Sequence, residues 1–106
     1  MRISIKPLSV NQCWQGKRFK TNKYKSYEKE LMLRLPLMKL PPPPYHLILK
    51  FGFSSKLSDW DNPVKPFQDI LQKRYNFDDR DIYKATVEKE IVKKGNEFID
   101  FKILTK

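Results

Sequence analysis

Carboxylates are concentrated in one stretch of this chain. Six of its 12 acidic residues lie within DWDNPVKPFQDILQKRYNFDDRD, which runs from position 59 to position 81. That stretch contains four basic residues, so its net charge is −2, and the total of +10 leaves +12 on the remaining residues. Carboxylates crowded together repel one another unless a cation offsets the repulsion. The stretch therefore predicts a cation site on an otherwise basic protein; its acidic residues are Asp59, Asp61, Asp69, Asp78, Asp79 and Asp81.

The spacing of these carboxylates indicates which cation they suit. In extended backbone, residues i and i+2 point to the same side with Cα atoms roughly 6.5–7 Å apart. Asp59 and Asp61 can therefore direct two carboxylates at one point while Trp60 faces the other way, and Asp78 and Asp79 add carboxylates from a second loop. Mg²⁺ prefers such oxygen ligands, needs only one or two carboxylates, and keeps waters beside a substrate phosphate. Two such ions can also clamp a phosphodiester for attack by water.

A helix is expected directly after the first carboxylate pair. Asn62 is a favoured N-cap residue, and Pro63 follows it as at the start of many helices. Lys65 would then lie near the positive first turn, with Asp69 one turn further along.

The same residues fit plainer interpretations. Asp59 and Asp61 fit ordinary loop carboxylates, and the Asp78–Asp79 pair fits a solvated loop or a helix cap. Lys65 and Asp69 fit an exposed i,i+4 pair worth a few tenths of a kcal/mol. Spacing alone leaves these alternatives open.

The segment DWDNPVKPFQDIL, followed by FDD, resembles the signature of the RusA family of Holliday-junction resolvases. That signature is Asp-x-Asp-Asn-x-x-Lys, an Asp four residues after the Lys, and then an Asp-Asp pair. Residues 7–31 are more weakly similar to the family's N-terminal loop and first helix. The resemblance implies a Mg²⁺-dependent endonuclease, with Mn²⁺ as a substitute, that acts as a homodimer on branched DNA such as a four-way junction.

The resemblance also implies roles for single residues. Asp59, Asp61 and Asp79 match the catalytic, metal-binding carboxylates, and Lys65 matches the catalytic lysine. Asp78 is implied as a supporting residue or an alternative ligand. The motif positions without an implied role are Asn62 and Asp69.

Two departures from the family pattern concern the helix. Pro66 directly follows Lys65, and the distance from the helix to FDD is about one residue shorter. Because a proline disfavours helical geometry in the residue before it, we expect the helix to begin at Pro66 with Lys65 at its cap.

Residues 8–23 are predicted to form a long loop that grips DNA. Lysine and arginine side chains in and next to it suit phosphates, and aromatic side chains among them suit stacking on unpaired bases. The alternative is a merely solvated basic loop, but Trp14 and Phe19 would then need core positions. The predicted DNA-binding residues of this arm are Trp14, Lys17, Arg18, Phe19, Lys20, Lys23 and Lys25.

Periodicity predicts a single α+β two-layer domain over residues 1–106, with a mixed sheet and the order β-α-β-α-β-β. Strands are expected at 2–6, 45–53, 82–92 and 98–104, with helices at 24–35 and 66–75. The turn at 93–96 predicts a hairpin that pairs the last two strands. One strand leads into the first carboxylate pair and another follows Asp78–Asp79, so the two carboxylate groups are expected to meet on one side of the sheet.

Composition narrows the class of protein. Hydrophobic content of 40% with 13% aromatic residues predicts a folded domain and not a disordered basic tail. The single cysteine, Cys13, excludes an internal disulfide and suits the cytoplasm, and no apolar run approaches the roughly 18–20 residues of a membrane span. The resemblance to the RusA family further implies a bacterial or phage-encoded protein at the nucleoid, and the lack of an apolar span predicts no membrane partner.

The alternatives to a junction-resolving nuclease are of two kinds. One is a non-catalytic basic DNA-binding protein whose acidic cluster is structural. The other is a nuclease of the same chemistry that prefers flaps or simple duplex.

Overall fold

Two helices cover one face of a four-stranded mixed sheet, as the predicted α+β class requires. The computed structural model describes every residue from Met1 to Lys106. Short 3₁₀ turns occupy Val10–Gln12 and Asp79–Asp81. The regular elements are β1 (Arg2–Ile3), β2 (Trp14–Gln15), β3 (Phe19–Lys20), α1 (Asn22–Arg34), β4 (Tyr45–Phe53), α2 (Val64–Tyr75), β5 (Ile82–Ile91) and β6 (Phe98–Thr105).

The strand order in the main sheet is β1-β6-β4-β5. The strands β4 and β5 are parallel and are connected through α2, whereas β6 is antiparallel to both β1 and β4. The predicted hairpin between β5 and β6 is therefore wrong, because β4 lies between them. Phe98 and Ile99, adjacent residues on opposite faces of β6, are both buried, so both faces of this strand are covered. The largely exposed β5 suits an edge.

The core follows the predicted periodicities. Alternate residues of β4, from Tyr45 to Phe53, are buried under the helices. Phe67 of α2 is fully buried and packs edge-on against Phe51 and Phe101, with ring centroids 6.2 and 5.7 Å away. The other helical core residues are Tyr24, Tyr27, Leu31, Ile70 and Leu71. Both predicted helices are thus confirmed, although each begins two residues earlier than expected.

The start of α2 differs from both sequence expectations. The helix begins at Val64, with Pro63 in the cap position, and not at Pro66. Pro66 lies in the first turn, where a backbone N–H has no intrahelical partner to lose. Asn62 does not cap the helix, which has no side-chain cap, and its amide nitrogen donates to Asp59. Lys65 therefore lies inside the first helical turn.

The basic arm is more ordered than the predicted loop. Within residues 8–23, β2 and β3 form an antiparallel pair in which Trp14 lies opposite Lys20. Gly16 turns the chain between them with φ of +66°, a conformation that glycine adopts without a steric penalty. The Thr21 hydroxyl donates to the Gln12 carbonyl at 2.7 Å and fixes the base of the arm.

The edge strand β5 leaves apolar side chains uncovered. Tyr83, Ala85 and Ile91 are exposed along one face, because neither helix extends over this edge of the sheet. No backbone hydrogen bond joins β5 to any part of the chain beyond its ladder with β4.

No helix in the structure is both long enough and apolar enough to cross a membrane.

Candidate active site

The two parts of the acidic motif begin at opposite ends of the parallel strand pair. Ile82 lies opposite Tyr45, whereas Phe53, which precedes the first carboxylates, lies opposite Ile91. The segment 54–63 reduces this separation, because it folds back beside β5. The Lys89 ammonium donates to the carbonyls of Lys56 and Ser58 and fastens this segment.

The position of Trp60 shows how far the segment 54–63 folds back along β5. Its ring shares a shallow cleft of about 420 Å³ with Ala85 and Val87, in the middle of β5. The chain then enters α2, and the Asn62 carbonyl accepts a 2.9 Å hydrogen bond from the backbone of Val10. The carboxylates of the first pair are therefore displaced from the end of β4 toward the start of β5.

Asp59 borders a polar cleft of about 410 Å³. Its Oδ2 accepts a hydrogen bond of 3.3 Å from the Asn62 side chain, which restricts the orientation of the carboxylate. The opposite wall comes from the N-terminal segment and includes Ser9 and Asn11. Asn62 thus acquires a structural role in positioning Asp59, one that the sequence pattern had left open.

Lys65 connects the two parts of the motif electrostatically. Its ammonium lies 2.8 Å from Asp69 Oδ1, one helical turn away. This hydrogen bond raises the pKa of Lys65, and the negative charge of Asp79 raises it further. Asp79 therefore lies close enough to act on the lysine, although the whole of α2 separates them in sequence. The pairing of Lys65 with Asp69 confirms the i,i+4 ion pair that spacing had offered as an alternative.

Asp78 and Asp79 differ in their surroundings. Asp78 caps the 3₁₀ turn, accepting a 3.1 Å hydrogen bond from the Arg80 backbone, and this bond lowers the pKa of Asp78. Its other oxygen lies 3.7 Å from the Arg80 guanidinium. Asp79 forms no ion pair and is exposed. The helix-cap alternative thus describes Asp78, whose carboxylate also interacts with that of Asp79.

The donor chemistry suits Mg²⁺, because Asp59, Asp61 and Asp79 are exposed carboxylates and none forms an ion pair. The side chains are not gathered into a closed site in this conformation. No three His, Cys, Asp or Glu side chains converge closely enough to hold a metal ion among themselves. One or two carboxylates together with substrate phosphate and water are sufficient for Mg²⁺.

The arm presents its aromatic residues to solvent, as stacking on bases would require. Phe19 is 74% exposed and Trp14 is 44% exposed, so neither fills a core position. Lys17 and Arg18 lie in the turn between β2 and β3, and Lys23 and Lys25 lie in the first turn of α1. Lys20 differs from these cations because it forms an ion pair within the protein.

The charge of Lys20 is already paired within the protein. Its ammonium lies 2.9 Å from Glu28, whose other carboxylate oxygen lies 2.9 Å from Lys73 of α2. Burial raises the pKa of Glu28, but hydrogen bonds from Lys73 and Lys20 outweigh burial and hold it below its ordinary value. Glu28 therefore joins the arm to both helices. Sequence reasoning missed this role, since Lys73 lies 45 residues from Glu28 and no local pattern connects Lys20 with Glu28.

Sequence reasoning also missed three residues that border the Asp59 cleft, Lys6, Gln12 and Ser58. None belongs to a recognisable motif, and only folding of the N-terminal segment against α2 brings the first two near Asp59. A scan of protein-family models and a search of curated proteins return no match to this chain.

Proposed function

We propose that this protein is a Mg²⁺-dependent endodeoxyribonuclease that resolves four-way DNA junctions by hydrolysing phosphodiesters in two strands. The observation that carries the proposal is the position of Lys65, which pairs with Asp69 and lies within the electrostatic influence of Asp79. A cation thus pairs with one carboxylate and lies within the electrostatic influence of another from a separate segment. This is the arrangement that the resemblance to RusA resolvases implies for a reactive centre.

The proposed metal ligands are Asp59, Asp61 and Asp79. A bound Mg²⁺ ion, or Mn²⁺ in its place, would polarise the scissile phosphate and lower the pKa of an attacking water. Asn62 holds the Asp59 carboxylate in one orientation through its amide. Lys65 would stabilise the negative charge that accumulates on the phosphate in the transition state.

Binding of DNA is assigned to the basic arm and the surface around it. Lys17, Arg18, Lys23 and Lys25 would contact phosphates, and Phe19 and Trp14 would stack on bases that a junction leaves accessible. Lys20 supports the arm mainly through its ion pair with Glu28. The net charge of +10 favours association with nucleic acid, and we place the protein at the nucleoid in the cytoplasm.

Paired cuts in two strands require two active sites related by symmetry, and we therefore propose a homodimer. The free edge of β5 supports a specific interface, because two copies can pair there in antiparallel fashion. With Thr86 on the two-fold axis, Lys84 of each copy lies opposite Glu88 of the other. Opposite charges in directly facing positions stabilise such a pair.

The central test is the substitution Asp61→Asn. Asp61 is exposed and forms no ion pair, so the fold should tolerate the change. We expect cleavage of a labelled four-way junction in Mg²⁺ to be lost, while binding in chelator stays the same or tightens because a charge that repels phosphate is gone. Asp81→Asn is the matched control, since Asp81 belongs to the same acidic stretch but is not an implied ligand.

Parallel assays with junction, flap and duplex separate the alternatives. Selective cleavage of the flap or duplex would indicate the related nuclease. Binding without Mg²⁺-dependent cleavage of any of the three would indicate a non-catalytic DNA-binding protein. If the Asp61→Asn variant cuts the junction as fast as the wild type, the proposed metal site is wrong.

A further inference from the structure

A small cavity of about 120 Å³ lies beside the Asp59 cleft, where the N-terminal segment meets the first turn of α1. Lys6, Gln12 and Lys23 supply its polar lining, and its remaining walls are Pro7, Leu8 and Tyr27. The backbone of Gln12 is fixed from two sides, since its N–H donates to Ser9 and its carbonyl accepts from Thr21. The cavity thus has a rigid floor and two lysines at its border.

The charges of the lysines of this cavity are only weakly offset within the protein, that of Lys6 by Glu97 at longer range. No acidic residue lines the cavity, and neither Lys6 nor Lys23 forms an ion pair. A second depression, of about 280 Å³, lies on the uncovered face of the sheet and differs from this cavity in its charge pairing. Its lysine, Lys50, lies 3.4 Å from Glu88 and is therefore paired. Two unpaired ammonium groups beside a side-chain amide favour an anionic ligand.

The cavity is continuous with the proposed active site. Lys6, Pro7 and Gln12 line both this cavity and the cleft that contains Asp59 and Asn62. A groove therefore runs from Asp59 past Gln12 to Lys23. Asp59 is the one carboxylate that lines it, and Lys6 borders both of its parts.

We infer that Lys6, Gln12 and Lys23 form a binding subsite for a phosphate of the DNA strand, adjacent to the scissile phosphate. This inference rests on the proposed function. Two sources could supply the phosphate, an internal phosphodiester or a terminal monophosphate at a strand end. Because Lys6, Pro7 and Gln12 also line the Asp59 cleft, a strand cut there would place an internal phosphodiester at the subsite, and the subsite is assigned to it.

The test uses the double variant Lys6→Gln/Lys23→Gln and a labelled four-way junction, with binding measured in chelator so that no cleavage occurs. The matched control is Lys39→Gln/Lys102→Gln, which removes the same charge from exposed lysines that do not line the groove. A lost phosphate contact makes the slope of log affinity against log salt shallower by about 0.9. We expect this change in the test variant and a smaller change in the control; equal changes in both would overturn the subsite.

A scan of neutral methylphosphonate linkages then locates the phosphate. At one internal position, the neutral linkage should weaken binding by the wild type but not by the double variant. A dependence on a 5′-terminal phosphate instead, or no position that distinguishes the two proteins, would overturn the assignment. These measurements are independent of catalysis, so the subsite can hold even if the junction is never cut, and it can fail even if the junction is cut.

Discussion

The environment of Lys65 decides which chemistry this residue can perform. Its hydrogen bond to Asp69, with the more distant charge of Asp79, raises the pKa of Lys65. A lysine with a raised pKa stays protonated through the neutral and mildly alkaline range. Lys65 is therefore suited to stabilising negative charge on a phosphate and unsuited to removing a proton from water.

Replacement of Lys65 by alanine should therefore impair turnover far more than binding. Loss of one donor that acts on transition-state charge costs about 10²-fold in kcat. The affinity for junction DNA in chelator should change little, because a single exposed lysine contributes one phosphate contact at most. Lys29→Ala, which removes an unpaired exposed lysine from α1, is the control. Equal losses of turnover and affinity would reduce Lys65 to a simple phosphate contact.

Cys13 gives a stability prediction that is independent of function. The thiol is fully buried and donates to the Ser9 carbonyl at 3.3 Å. Burial raises the pKa of Cys13 from 9.0 to about 11, with a further contribution from Asp69. The folded state thus favours the neutral thiol, whereas the unfolded chain ionises at lower pH. The stabilisation is complete below pH 9 and is lost as the pH rises toward 11.

Urea unfolding of the wild type should show a loss of about 1 kcal/mol in the free energy of unfolding between pH 8 and pH 10. Cys13→Ala should weaken this dependence. It should not abolish it, because burial also raises the pKa of Tyr24, to about 12. An unchanged pH dependence in the alanine variant would contradict the assignment to Cys13.

At the scale of elements, local periodicity was sufficient to predict the helices and the long strands. The alternation in β4 and the stripe of Tyr24, Tyr27 and Leu31 in α1 result directly from burial of one face. The order of the strands in the sheet could not be predicted from periodicity. The turn at 93–96 favours a hairpin between β5 and β6, and nothing in it indicates that β4 lies between them. The interior position of β6 follows only from its pairing with both β1 and β4, which are distant in sequence.

The candidate site was predictable in its residue types but not in its assembly. The motif identifies Asp59, Asp61 and Lys65 from spacing within one segment. The proximity of Asp79 to Lys65 depends on the backward course of 54–63, which the Lys89 side chain fastens from another strand. The subsite residues Lys6 and Gln12 become neighbours of Asp59 in the same non-local manner.

The attachment of the basic arm to the helices is testable through Glu28. Glu28→Gln keeps the size of the side chain but removes the charge that Lys20 and Lys73 share. We expect a loss of about 1 kcal/mol in the free energy of unfolding, because the carboxylate is mostly buried. Trypsin should also cut more rapidly after Lys17 and Arg18 in the loosened arm.

Glu30→Gln is the control for Glu28. Glu30 is on the same helix, but its contact with Arg34 is longer, at 3.7 Å, and more exposed. Its replacement should change neither stability nor cleavage of the arm appreciably. Identical trypsin rates in the Glu28 and Glu30 variants would show that the ion pairs do not hold the arm.

At the scale of the whole molecule, the proposed cuts in two strands require a second copy of the proposed active site, related to the first by symmetry. An exposed edge strand of ten residues invites pairing with another chain, and proteins without a partner usually protect such edges. In β5 the sequence is self-complementary about Thr86: Ala85 lies opposite Val87, and Lys84 lies opposite Glu88. The same edge therefore suits a second copy of this chain.

A charge exchange tests this interface and its register together. Lys84→Glu alone should place like charges opposite each other at two symmetric positions and weaken the dimer about 10-fold, as measured by sedimentation. Glu88→Lys alone should act similarly, although it also removes the contact with Lys50. The double variant Lys84→Glu/Glu88→Lys restores opposite charges across the two-fold axis and should recover much of the lost association. Because only a register centred on Thr86 brings these two residues opposite each other, a double variant weaker than either single variant, or a monomeric wild type, would exclude pairing through β5.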